Sequence, residues 1–296
     1  MKLGWSKTAN NNLTLLSKIP DNLRAKLTKV CQIPYAELYE QTTDEANSLQ
    51  DALEEILVLF ADGNLTLGHI RHVWMALILA IVVRPTVEHY QPNNYFPDAT
   101  IEKITLWLLL ETIKTVVGSE TSEVQFSSFD KLDTRSITTS SSPENLASFQ
   151  IFYEVVDVYI NALKTIDESQ SLAALINILD DCLEGYAIFP GSDGRRELLN
   201  WWLLDVVPAA WYLLPPNFVY VIDSSPTSEK IVAHQKKMMD KISSLIWLVI
   251  LKAKKKKPYL NENNLIDLNV KKNNNLNLDS NLSISVYKPN QPIRCS

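Results

Sequence analysis

The sequence predicts an all-α protein, a multi-helix bundle of about nine helices in two packed halves with a flexible Asn-rich C-terminal tail. Three observations predict it. Apolar residues return at three- and four-residue steps along most of residues 21–257, the spacing that puts them on one face of a helix. Helix start and stop residues punctuate these stretches, among them Asp62-Gly63-Asn64, Gly118 and Ser142-Pro143. Seven glycines in 296 residues are too few for a glycine-dependent all-β or dinucleotide-binding fold. Hydrophobic content of 46% with 21% charged residues is ordinary for a globular chain.

Four segments follow: an N-terminal helical half over 1–118, a Ser/Thr-rich linker or loop over 119–143, a C-terminal helical half over 144–257, and a tail over 258–296. The N-terminus is polar, with no continuous apolar run or cleavage site of the secretory type. Asp21 opens a helix through Cys31, with Leu23, Leu27 and Val30 on one face. Pro34 restarts a short helix to Gln41. Thr42 or Thr43 is expected to cap the next helix, whose apolar face is Leu49, Leu53, Ile56, Leu57 and Phe60. Thr66 begins another, expected to end at the Arg84-Pro85 step because proline disfavours a helical residue before it. Its run Val73–Val83 is uncharged and apolar but only ~16 Å long at a rise of about 1.5 Å per residue. A bilayer needs ~20 such residues, so a buried core helix is expected.

Asp98 or Thr100 caps a helix over 101–117. Ser142-Pro143-Glu144 starts one reaching Ile166, expected to bury Phe149, Phe152, Tyr153, Val156 and Ile160. Another spans 171–185. The stretch Arg195–Ile222 follows, carrying Trp201, Trp202, Trp211, Tyr212 and Tyr220; from Leu198 onward it holds one charge, Asp205. Such a segment needs cover from the rest of the chain, a partner or lipid. It is expected to organise the fold, with a kink at Pro208 and an end at Pro215-Pro216. Asp205 and Pro208 both tell against a membrane span here. Residues 217–223 read as a short extended segment, and a long helix runs from Ser225 to Lys256. The motif DExxSL occurs at Asp44–Leu49 and Asp167–Leu172, each time opening an amphipathic helix that a Trp-bearing one follows. Duplication would explain the echo, and so would the commonness of acidic helix starts.

The site candidates are few. His69 and His72 lie one turn apart, a spacing that can share a metal, but no HExxH or cysteine cluster accompanies them. Asp180, Asp181 and Glu184 form a DDxxE on a helix, hard oxygen ligands of the kind that hold Mg²⁺ on a diphosphate. The second acidic motif of such enzymes is missing downstream, and exposed acidic residues near a helix end are the plainer reading. The Ala61–Thr66 stretch places Val58 and Phe60 where a calcium loop needs oxygens, which excludes an EF-hand. No Walker loop, GxSxG or GxGxxG occurs. Cys31, Cys182 and Cys295 lack CxxC pairing, which suits a reducing compartment.

Charge is divided unevenly. Residues 1–227 carry 15 Lys+Arg against 29 Asp+Glu, a balance of −14; residues 228–296 carry 13 against 5, a balance of +8. The sharpest feature is the end of the last helix, where Leu245–Leu251, including Trp247, leads into Lys252, Lys254, Lys255, Lys256 and Lys257. Lysines suit a helix C-terminus electrostatically; they also suit an anionic membrane surface. Specific nucleic-acid binding is not expected, because the body is acidic and the tail does not interleave basic and aromatic residues.

The leading expectation is a non-catalytic helical interaction protein, an adaptor or assembly factor in the cytoplasm, whose partner is another protein or a second copy. Trp201, Trp202, Trp211, Arg195 and Arg196 are its candidate partner or ligand residues. A peripheral membrane protein using Trp247 and the lysine end is the alternative. An all-α enzyme or apolar-ligand carrier with the Asp180, Asp181 and Glu184 set is the third reading. No cofactor is expected.

Overall fold

The computed structural model describes residues 15–40, 48–61, 63–117, 146–184, 187–188, 194–220 and 226–256. The Ser/Thr-rich segment 119–143, Gly118, the caps expected at Thr42, Thr43 and Ser142-Pro143, most of the first DExxSL copy and the tail 258–296 lie outside the described residues. The described part falls in one compact unit within residues 1–260. It contains eight helices and no strand.

Helix α1 (Asp21–Gln32) buries Leu23, Leu27 and Val30, as their spacing predicts. The expected short helix after Pro34 is reduced to one 3₁₀ turn, Ala36–Leu38, which Tyr39 ends in the left-handed region at φ 58°. Helix α2 (Leu49–Leu59) is capped by Ser48, whose side chain accepts from the Asp51 N–H. It buries the predicted face through Phe60.

Helix α3 (Leu65–Tyr90) starts at an Asn64 cap and runs through Pro85 for 26 residues. This corrects the expected stop at Arg84. Pro85 lacks the N–H that would bond the Ile81 carbonyl four residues back. That carbonyl finds a donor in another helix: the Gln235 side-chain amide reaches Ile81 O at 3.1 Å and Val82 O at 2.9 Å. With its buried acceptor satisfied, the helix has no reason to end there.

A second correction concerns the organising element. Every residue from Ile70 to Val83 is buried, and α3 packs against the five helices that follow it in the chain. It is therefore α3, not the Trp-rich stretch, that the fold is built around. A helix apolar on all sides can only lie inside. It is also long and apolar enough to cross a membrane, with 83% of its most apolar window buried by the rest of the chain.

Helix α4 (Phe96–Val117) begins a turn earlier than expected. Asn94 Oδ1 accepts from the Phe96 N–H at 2.9 Å, and Pro97 sits in the first turn, where no intrahelical donor is lost. Arg84 fastens α3 to its start through Asp98 at 3.0 Å, and also pairs with Glu88 at 2.9 Å. Helix α5 (Leu146–Lys164) turns Val155, Tyr159 and Ala162 fully inward along with Phe152 and Val156. Tyr153 and Ile160, expected in the core, are half-buried at its margin. Helix α6 (Ser171–Glu184) packs on α5 and on α3.

Helix α7 is the Trp-rich one: Arg195–Trp201, a π turn over Trp202–Val206, then Val207–Trp211. The π turn answers Pro208. Its ring would clash with the carbonyl four residues back; widening the coil sends the Val207 N–H to Trp202 O, five residues back. Beyond Trp211 the chain makes a Schellman turn, with Leu213 N bonded to Ala210 O and Leu214 N to Ala209 O. Leu213 takes the left-handed position at φ 55°, where glycine is usual. The strain costs about 1–2 kcal/mol, whereas burying a leucine returns roughly 1.5–3 kcal/mol. Leu213 is buried, so burial wins. Helix α8 (Pro226–Lys256), 31 residues long, closes the bundle over α3 and α4.

Candidate functional site

Helices that end inside a protein leave their last carbonyls without donors. Here α2 and α7 end against the flank of α3, and side chains supply what the backbone lacks. Gly68 makes the approach possible: a Cβ there would lie 2.7 Å from Ala61 Cα. One turn further on, Arg71 Nε donates to Trp211 O at 2.9 Å and Nη1 to Phe60 O at 3.2 Å. Its guanidinium carbon lies 3.6 Å from the centroid of the Trp211 ring. The cation is 3% exposed and no carboxylate is bonded to it among the described residues. Its charge is met by two helix C-termini and an aromatic face instead. Burial lowers its pKa to about 9, still protonated at neutral pH.

The same logic extends outward. His72 Nε2 donates to Leu57 O at 3.0 Å, and because a carbonyl is the acceptor, Nε2 carries the hydrogen. Burial pulls its pKa down to about 4, against which the Leu57 bond works only partly. Trp74 Nε1 donates to Leu214 O at 2.9 Å, and Ser243 Oγ to Leu213 O at 2.8 Å. His69 Nε2 meets Thr165 O at 2.8 Å beyond the end of α5. The two histidines that could share a metal therefore each hold a different helix end. Among the described residues no three His, Cys, Asp or Glu side chains gather closely enough to hold a metal ion.

The sequence-derived candidates separate into four places. Trp201 and Trp202 are buried in the core; Trp201 Nε1 donates to Phe218 O at 3.0 Å, and Trp211 packs edge-on against Phe60 at 5.5 Å. Arg196 clamps the N-terminal segment, pairing with both oxygens of Glu40 at 2.8 and 2.6 Å and reaching Ile33 O at 2.7 Å. That hydrogen-bonded pairing holds the Glu40 carboxyl below its usual range. Arg195 lies over the Tyr39 ring at 3.7 Å. Asp180 is exposed and Asp181 half-buried on α6; the Glu184 side chain lies outside the described ones. Trp247 is half-buried and Lys252 exposed on α8, Lys254–Lys256 continue its backbone, and Lys257 lies outside the described residues.

One group stands out that the sequence marked only as a lone charge. Asp205, 4% exposed, sits in the π turn, and its Oδ1 has no hydrogen-bond partner among the described residues. Burial alone pushes its pKa up to about 7. Trp202 Nε1, on the same turn, is likewise without an acceptor there. The donors Gln235, Trp74 and Ser243 carried no sequence signal, because their acceptors are backbone carbonyls distant along the chain.

Comparison with protein-family models, with curated proteins and with solved structures returns no match.

Proposed function

We propose that this chain is a non-catalytic helical docking protein, an adaptor or assembly factor that works by contact with another protein or with a second copy of itself. The observation that carries the reading is the employment of its reactive side chains. Arg71, His69, His72 and Arg196 each hold a backbone carbonyl of another element. Groups fixed in this way build a rigid body, and rigid bodies suit recognition by surface shape. Val58 (60% exposed) and Leu65 (71%), on either side of the α2–α3 turn, offer apolar surface for such a contact. The free Cys31 and buried Cys182 thiols support a reducing, cytoplasmic setting.

Native mass spectrometry of the purified chain tests the reading. Integer multiples of 33.6 kDa, or a stoichiometric complex with one co-expressed protein, are expected. A bare monomer that turns over a small-molecule substrate would overturn it.

A further inference from the structure

We propose that the outward face of α8 is a membrane-docking surface that lies flat on an anionic lipid bilayer. The inference stands beside the docking reading above and does not depend on it. Helix α8 buries Gln235, Met239, Ile242, Ile246, Ile250 and Ala253 against the bundle. Those three- and four-residue steps fix which face remains outside. The opposite stripe runs Lys237, Lys241, Ser244, Leu248, Leu251 and Lys252, all exposed. At a rise of about 1.5 Å per residue the stripe from Lys237 to Lys252 is ~22 Å long.

Its chemistry selects the partner. Across α8 there are eight lysines against two acidic residues, Glu229 and Asp240, and both of these are exposed. Asp240 borders the stripe, and Glu229 lies at the far, N-terminal end. The remainder of the chain before residue 228 has a balance of −14, so an anionic surface would attract α8 and repel the body, orienting the molecule. Charge alone would suit any polyanion. The two leucines decide between them: Leu248 is 38% and Leu251 52% exposed, in the middle of the lysines. A phosphate backbone offers leucine nothing, whereas the headgroup–acyl boundary accepts apolar side chains while lysines remain among the headgroups. A basic helix face with central leucines is the pattern of interfacial binding, and a lipid surface demands no concave pocket of its partner.

The test is co-sedimentation of the full-length protein with vesicles of phosphatidylcholine containing phosphatidylserine, and with phosphatidylcholine alone. Binding to the anionic vesicles only, weakened by raising salt from 50 to about 300 mM as screening requires, is expected. Lys237→Glu/Lys241→Glu/Lys252→Glu and, separately, Leu248→Ser/Leu251→Ser should each lower partitioning at least tenfold. These side chains point away from the core, and circular dichroism of each variant checks that its fold is intact. Failure of the wild-type protein to sediment with anionic vesicles at low salt overturns the proposal. So does binding that the lysine variant leaves unchanged, and so does binding that survives loss of both leucines, which would reduce the contact to general polyanion attraction. Multiples of 33.6 kDa in the absence of vesicle binding would retain the protein-docking function and remove lipid as the occupant of α8.

Discussion

Asp205 and His72 are buried ionisable groups whose effects on stability have opposite slopes with pH. His72 is held at about 4 against an ordinary 6.5. Between those values the unfolded chain binds a proton that the folded one refuses, so this contribution rises with pH and levels off above 6.5. Asp205 is pushed up to about 7 from 3.8. Between those values the folded chain keeps a proton that the unfolded one has lost, so this contribution falls as pH rises and is fully adverse above 7. Asp205→Asn removes the charge at nearly constant shape. It should stabilise the protein by about 1–3 kcal/mol at pH 8 and by much less at pH 4. Urea unfolding of both proteins at the two pH values measures it; an equal difference at both would mean that Asp205 is not kept neutral by burial. At this scale the sequence was partly legible. Asp205 is conspicuous as the lone charge in an apolar stretch, but its missing partner depends on a π turn that residue spacing does not reveal.

Pro85 shows what an element owes to a distant one. Local rules end a helix before proline, and they are sound when nothing else can supply the missing donor. Gln235 supplies it from α8, 154 positions along the chain from the Ile81 carbonyl. No pattern within α3 announces that, so the apolar run is plain in the sequence and its boundary is not. Gln235→Leu should cost roughly 1–3 kcal/mol by leaving the Ile81 carbonyl buried and unsatisfied. Pro85→Ala restores a backbone N–H, so the same Gln235 change should cost about 1 kcal/mol less in that background. Denaturant midpoints of the four proteins give the coupling; simple additivity would show that Gln235 does not stand in for the proline's lost donor. The reverse case is α7, where the sequence predicts a kink at Pro208 and the structure has a π turn ahead of it. The chain absorbs it within the helix, by widening five residues into a π turn.

At the scale of the whole molecule, composition and periodicity were enough to give an all-α bundle, because helical spacing needs only local sequence. Which helix lies at the centre was not legible in the same way. The Trp-rich stretch draws the eye through the size of its side chains, but large side chains fill space beside an axis as readily as on it. The axis needs to be apolar all round, and the unbroken run Val73–Val83 of α3 is, with every one of its residues buried. The buried polar groups then act as fasteners between this axis and the ends of its neighbours, with Arg71, His72 and Trp74 all projecting from one turn of α3. Native-state hydrogen exchange, followed by mass spectrometry of peptides across the chain, tests this arrangement most directly. The amides of residues 70–83 should exchange last and only through global unfolding, later than those of 195–211. If the Trp-rich helix outlasts α3, or if 70–83 opens at a free energy well below that of global unfolding, α3 is not the element on which the fold is built.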